Sequence, residues 1–379
     1  MITTLYSKAV IDDSYTLSWP VSLTHPIRGH LFPRLKCLHL HIQHSRFIFT
    51  IIPLLHSNLI ELNLGLDARE DKPIIDDFLV AAVRVCSRLR SLSLHNQSTS
   101  LVQNPRITVL PKLVMRLGFL RELRLSGRAV ELTGTLRPLS TLKNLELLIF
   151  DPPTALPWKL EKLGEGAFSR LNSIRADLSV EFIDLITKEH FPRHQLQNIQ
   201  VQNCGAGRTH LLLDAISGHE IKELTLLMQA MVGAKVSDLW PISSLRHLQR
   251  LKIVASIDFV IADVHFNGLI SGCEALQELV LTTSRPPELT LLSILSVLEQ
   301  CNNISLINIP INATGTLPLH RKRPETVASN NGVGGTTTRG VLPRVAISMS
   351  SWEVSNKDAV LDWLAGLCIN LDILDVPQK

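Results

Sequence analysis

The amino-acid sequence predicts an α/β fold, an irregular solenoid of short parallel strands backed by helices, and three observations predict it. An aliphatic-x-x-aliphatic-x-aliphatic pattern returns along almost the whole chain of 379 residues. Between these segments the apolar residues change from alternation to a helical period. Four of the six cysteines share one position, three residues ahead of the pattern's first aliphatic member.

The first clear unit is Leu35, Leu38 and Leu40. Twelve more begin at Leu59, Leu89, Leu120, Leu145, Leu171, Leu196, Ile221, Leu248, Leu276, Ile304, Leu342 and Leu371, making thirteen candidate units. So short a pattern also arises by chance, so its spacing carries the argument. Every interval falls between 24 and 31 residues except the 38 that separate Ile304 from Leu342. The unit at Leu171 is the weakest, because its third member is Ala176.

Three stripes read as helices ahead of their strands. They are Ile75, Leu79, Ala82, Val83 and Cys86; Leu291, Ile294, Leu295, Leu298 and Cys301; and Val360, Trp363, Leu364, Leu367 and Cys368. Ser355 and Asp358 stand in capping-box spacing at the start of the last. One strand and one helix cannot cover their own apolar faces, whereas stacked neighbours form a continuous core. Cys86, Cys273, Cys301 and Cys368 hold the shared position ahead of a unit, which reads as packing. Cys204 and Asn312 follow their units by eight residues, where the leucine-rich repeat consensus places Asn or Cys. Elsewhere that site holds Gln43, Asp67, Gln97, Arg128 or Ser256, so the array is expected to be irregular.

The repeat region therefore spans residues 31–379, after an irregular lead-in over 1–30. A polar insertion over 313–341, rich in Pro, Gly and Thr, is expected to be a flexible loop. Within it His320, Arg321, Lys322 and Arg323 form a short basic run, read as solvated loop charge.

Composition narrows the function classes. Hydrophobic residues make up 45% and charged residues 19%, which excludes disorder as the main state. The longest apolar stretch, Phe47 to Leu55, is far shorter than the roughly 20 residues of a bilayer-spanning helix. The amino end lacks a secretory pattern, so a cytoplasmic or nuclear location is expected. The net charge is only +4 and its positive residues are scattered, which argues against nucleic acid and membrane as partners. No CxxC pair points to zinc or a disulfide framework, and GxSxG, HExxH and phosphate-cradling motifs are absent. The expectation is a binding protein with neither enzyme activity nor cofactor.

The stretches CSRLRSLSL from Cys86, LFPRLKCLHL from Leu31, CEALQELVL from Cys273 and CINLDILDV from Cys368 carry a family resemblance. With them the chain resembles the irregular leucine-rich repeat region of fungal F-box proteins. The resemblance implies a curved parallel sheet on a concave side, helices on a convex side, and a role as substrate-recognition region of a ubiquitin ligase receptor. An F-box helix bundle would dock on the ligase adaptor, but residues ahead of the first repeat show no helical stripe of that length. The adaptor is thus an expected partner only if an F-box lies upstream. A free-standing repeat scaffold or inhibitor is the alternative.

Residues between the aliphatic positions alternate onto the open face of the sheet. Its middle column reads His39, Asn63, Ser93, Arg124, Ile149, Arg175, Gln200, Thr225, Lys252, Val280, Asn308, Ala346 and Asp375. At about 4.8 Å per strand, such a column extends over roughly 60 Å, a span suited to a protein segment. The candidate partner-binding residues are His39, Asn63, Ser93, Arg124, Arg175, Gln200, Thr225, Arg250 and Lys252. Arg124, Arg175, Arg250 and Lys252 suit acidic or phosphorylated groups, while Glu122, Glu223 and Glu278 in a neighbouring column stand ready to neutralise them. Cys37, His39 and His41 alternate along one strand, with His44 and His95 as possible neighbours; without a fourth ligand they read as an exposed row, and no metal is expected.

Overall fold

The computed structural model describes residues 4–8, 32, 34–42, 52–66, 72–96, 112–126 apart from 114, 136–151, 163, 166–187, 191, 194–204, 207–228, 235–255, 261–283, 288–311, 344–346, 357–367 and 370–372. The chain divides into two compact units, Met1–Gln202 and Asn203–Lys379. Each has the predicted α/β architecture.

In the first unit eight strands lie in sequence order, every neighbouring pair parallel. They are β1 (Thr4–Lys8), β2 (Cys37–Ile42), β3 (Glu61–Leu66), β4 (Ser91–Asn96), β5 (Glu122–Ser126), β6 (Leu147–Asp151), β7 (Ser173–Asp177) and β8 (Asn198–Gln202). Helices α1 (Lys72–Val85), α2 (Leu136–Ser140) and α3 (Val180–Thr187) occupy three of the crossovers. The expectation of an irregular lead-in is refined at one place: Thr4–Lys8 adds a strand in register with Cys37–His41.

Two backbone bonds repeat and set the spacing. The N–H of a unit's first aliphatic residue donates to the carbonyl three residues earlier, as in Leu59 to His56, Leu89 to Cys86, Leu120 to Leu117 and Leu145 to Leu142. One residue further on, one carbonyl accepts two consecutive N–H groups of the next unit. Lys36 accepts from Ile60 and Glu61, Ile60 from Arg90 and Ser91, and Arg90 from Arg121 and Glu122. Each strand is thereby locked to its neighbour before the ladder begins, and these backbone groups are satisfied despite the irregular connections.

Inside this frame the aliphatic columns stack. Leu35, Leu59, Leu89, Leu120, Leu145, Leu171 and Leu196 form one buried column, and Leu38, Leu62, Leu92, Leu123, Leu148, Ile174 and Ile199 the next. The weak unit has a local cause. Ala176 lies opposite Phe150 in the ladder, and Phe150 packs edge-on to Phe182 of α3 at 5.9 Å between ring centroids. The aromatic ring fills the volume that the small residue leaves.

The second unit repeats the plan in β9 (Glu223–Met228), β10 (Arg250–Ala255), β11 (Glu278–Thr283) and β12 (Leu306–Asn308), again parallel and in order. Helix α4 (Arg208–Ile216), the 3-10 segment Val236–Ser244, α5 (Asp263–Ile270) and α6 (Leu291–Gln300) connect them. Thr290 caps α6, its Oγ1 accepting from the Leu292 N–H at 3.2 Å. The Asp263 carboxylate accepts from the Thr290 N–H at 2.8 Å, the Thr290 hydroxyl at 2.6 Å and the Ser293 hydroxyl at 2.5 Å, which ties α5 to the start of α6. The predicted stripe on α6 shifts slightly: Leu291, Ile294 and Val297 are buried with Cys301, while Leu295 and Leu298 are half-buried.

A separate parallel pair, β13 (Arg344–Ala346) and β14 (Asn370–Asp372), flanks α7 (Lys357–Leu367). Here the register differs from expectation: Val345 faces Leu371 rather than Leu374, so Ala346 is opposite Asp372 and not Asp375. The insertion over 313–341, with its basic run, Ser355 and Asp375 lie outside the described residues. Among the described residues no helix is long and apolar enough to cross a membrane.

Gly272 makes a close approach to a neighbouring backbone in the second unit. A Cβ there would overlap the Ser243 carbonyl oxygen, a backbone atom, whereas one on Gly268 within α5 meets nothing within 4 Å. Gly272→Ala is therefore expected to lower unfolding free energy by about 1–3 kcal/mol. Gly268→Ala should be neutral or raise it by up to about 1 kcal/mol. Urea titration of both variants checks this, and equal midpoints would contradict it.

Candidate binding face

Burial along the strands alternates, as in β7 and β8, so one sheet face enters the core and the other stays open. The pairing register places the candidate residues of the first unit in one ladder: His39, Asn63, Ser93, Arg124, Ile149, Arg175 and Gln200 lie opposite one another from β2 to β8. In the second unit Thr225, Lys252, Val280 and Asn308 form the corresponding ladder, and Arg250 stands in the adjoining column between Glu223 and Glu278. Arg124, Arg250 and Lys252 are exposed; His39, Asn63, Arg175, Gln200 and Thr225 are half-buried.

Ser93 departs from this pattern, being only 4% exposed. Its hydroxyl lies 2.5 Å from His95 Nε2, and His95 Nδ1 lies 2.6 Å from the Ser126 hydroxyl. A neutral imidazole donates from one ring nitrogen and accepts at the other, and a hydroxyl serves in either role. The ring thus lies across β4 and β5 and covers Ser93, which withdraws that residue from the accessible column. Ser126 was not singled out from sequence, and His95 only as a possible neighbour of the histidine row on β2; both lie on the open face, in the column beyond Ser93 and Arg124.

The acidic column does what the sequence suggested. Arg250 Nη1 donates to Glu223 Oε1 at 2.7 Å, and its Nε lies 3.7 Å from Glu278 Oε2. Arg124 lies 3.5 Å from Glu122 on its own strand, Arg121 3.6 Å from Glu146, and His39 Nε2 3.4 Å from Glu61. All except His39 are exposed pairs, each worth about 0–1 kcal/mol, so they set side-chain direction more than stability.

Arg175 is the exception. Its Nε is sealed from water without a hydrogen-bond partner, in contrast to the solvated end of Lys252. A buried polar group left unpaired costs about 1–3 kcal/mol, so this arginine is held at some expense to the free chain.

Cys37, His39 and His41 do share the open face of β2. Gly65 lies opposite His41, and a Cβ there would come within 2.6 Å of His41 Nδ1. Among the described residues no three His, Cys, Asp or Glu side chains gather as a metal-ligand set.

Among the described residues the shared cysteine register is a core column; Cys368 lies outside them. Cys86, Cys273 and Cys301 are buried, and His56, 1% exposed, takes the same place in its unit. Burial pushes the Cys86 thiol up to about 11, partly offset by a hydrogen bond to the His56 backbone. Burial also raises Cys301 to about 11 and Cys273 to about 12, the latter with a further push from Cys301. These thiols stay protonated near neutrality and do not act as thiolate nucleophiles. Unfolded thiols ionise near pH 8.5–9, earlier than the folded ones. Their contribution to stability is thus complete below about pH 8.5 and is lost as pH rises toward 11 and 12. The urea midpoint should fall between pH 8 and pH 10, and less steeply in a Cys273→Ala, Cys301→Ala double variant. Equal slopes in the two proteins would contradict this account.

No protein-family model and no curated protein matches the chain.

Proposed function

We propose that the chain is a protein–protein interaction module that holds an extended segment of a target protein on the open faces of its sheets. The observation that carries this reading is the register of the first unit. Seven polar or aliphatic side chains from His39 to Gln200 line up across seven adjacent strands. At about 4.8 Å per step they extend over roughly 29 Å, a length suited to eight or nine extended residues rather than to a small metabolite.

Two features support binding over catalysis. The open face presents its serine–histidine arrangement with Ser93 buried beneath the ring. The core thiols of Cys86, Cys273 and Cys301 are protonated and out of reach. On the resemblance to fungal F-box leucine-rich repeat proteins, the module is the substrate-recognition region of a ubiquitin ligase receptor, acting in the cytoplasm or nucleus. A second reading is a free-standing scaffold or inhibitor.

Affinity purification of the tagged full chain tests both. A target protein should be recovered and lost at least about ten-fold in an Asn63→Arg, Thr225→Arg variant, which alters two half-buried open-face positions. Arg84→Glu on α1 should leave recovery unchanged. Co-recovery of a cullin and its adaptor supports the receptor reading, and a target without them supports the scaffold. Equal recovery by all variants would contradict the open-face site.

A further inference from the structure

The open face carries four candidate cations, and their surroundings separate them. Arg250 is held between two glutamates and Arg124 beside one. Lys252 is exposed, so water satisfies its ammonium. Arg175 alone of the four has a nitrogen withdrawn from water with nothing to bond: its Nε is buried and unpartnered. The residue as a whole is half-buried, so the guanidinium is partly desolvated before any ligand arrives.

Its neighbours add a second chemical signature. In the ladder it lies between Ile149 of β6 and Gln200 of β8, and Leu147 stands on the same face as Ile149. Both aliphatic side chains are half-buried although they point away from the core. An apolar shelf thus adjoins an unpaired cation, and the lowered local dielectric strengthens any charge-assisted bond made there.

We infer that the outer face of β6–β8 is the anchoring subsite for the partner, and that it takes a carboxylate side chain, Asp or Glu, placed next to an aliphatic residue in an extended segment. A guanidinium presents paired N–H donors that match the two oxygens of a carboxylate. Phosphate fits less well. Dianions are held by clusters of arginine, but the next arginine in the ladder is Arg124, two strands away and beside Glu122. Asp177, two residues along β7 on the same face as Arg175, disfavours a double negative charge there.

This inference rests on the proposed peptide-binding role, and the test distinguishes the failure of each. The full chain is panned against a displayed library of random twelve-residue peptides. Enriched peptides should carry Asp or Glu within two positions of Leu, Ile or Val. For the leading peptide, Arg175→Gln should weaken binding about ten-fold or more. Replacing the peptide's acid by its amide should do the same, and the two changes together should cost little more than either alone. Arg84→Gln, at an exposed cation on α1 away from the open face, should leave affinity within about three-fold. A thermal melt of Arg175→Gln, expected at or above the parent's, shows that the loss is not unfolding. Enriched peptides without an acidic preference, acid-dependent binding that survives Arg175→Gln, or tighter binding when phosphoserine replaces the acid would each overturn the carboxylate subsite while leaving peptide binding intact. No enrichment at all would overturn both.

Discussion

A strand of five or six residues followed by one short helix has no means of covering its own apolar face. Each unit here is completed by the next, and the contact that makes this possible is the carbonyl at the strand entrance that accepts two successive N–H groups from the following unit. That bond fixes the register before any side chain is placed. Once fixed, leucine must stack on leucine, and the residues between them must form columns on the opposite face. Burial of one such leucine is worth about 1.5–3 kcal/mol, and the column distributes that stabilisation along the array instead of concentrating it in a central core.

The open face follows from the same constraint. Because the columns are set by the ladder, charges on adjacent strands meet whether or not a ligand is present. The glutamates of one column consequently engage most of the arginines beside them, as at Glu223, Arg250 and Glu278. What distinguishes a position is then its environment within the column. Ser93 is removed from the face by the His95 ring, and Arg175 is left unpaired beside an aliphatic shelf.

Much of this was legible in the sequence. Aliphatic spacing alone located β2 to β12, and it placed the middle column in the register that the strands adopt, because a one-residue slip would turn the leucines to the open face. The cysteine register was legible for a related reason: the side chain where a turn packs beneath its strand is buried, and the slot that takes Cys in some units takes Leu117, Leu142, Phe168 or His56 in others. Three features were not legible. Thr4–Lys8 pairs with β2 through its backbone without an aliphatic triplet to announce it. The last strand pairs at Asn370–Asp372, three residues ahead of the position its leucines suggest. At the site, the His95 ring that covers Ser93 is bonded to Ser126, 31 residues beyond it, and Arg175 lies beside Ile149, 26 residues before it. No local pattern encodes that separation.

The central claim is the in-register ladder of the first unit, and a distance across it is the most direct test. Genetically encoded spin labels at Asn63 and Gln200 leave the native cysteines untouched and stand five strand steps apart. Pulsed electron paramagnetic resonance on the full chain should give a single narrow distribution centred near about 24 Å, broadened only by the label's own reach. A distribution centred beyond about 35 Å, or one with no defined maximum, would contradict the stacked parallel strands.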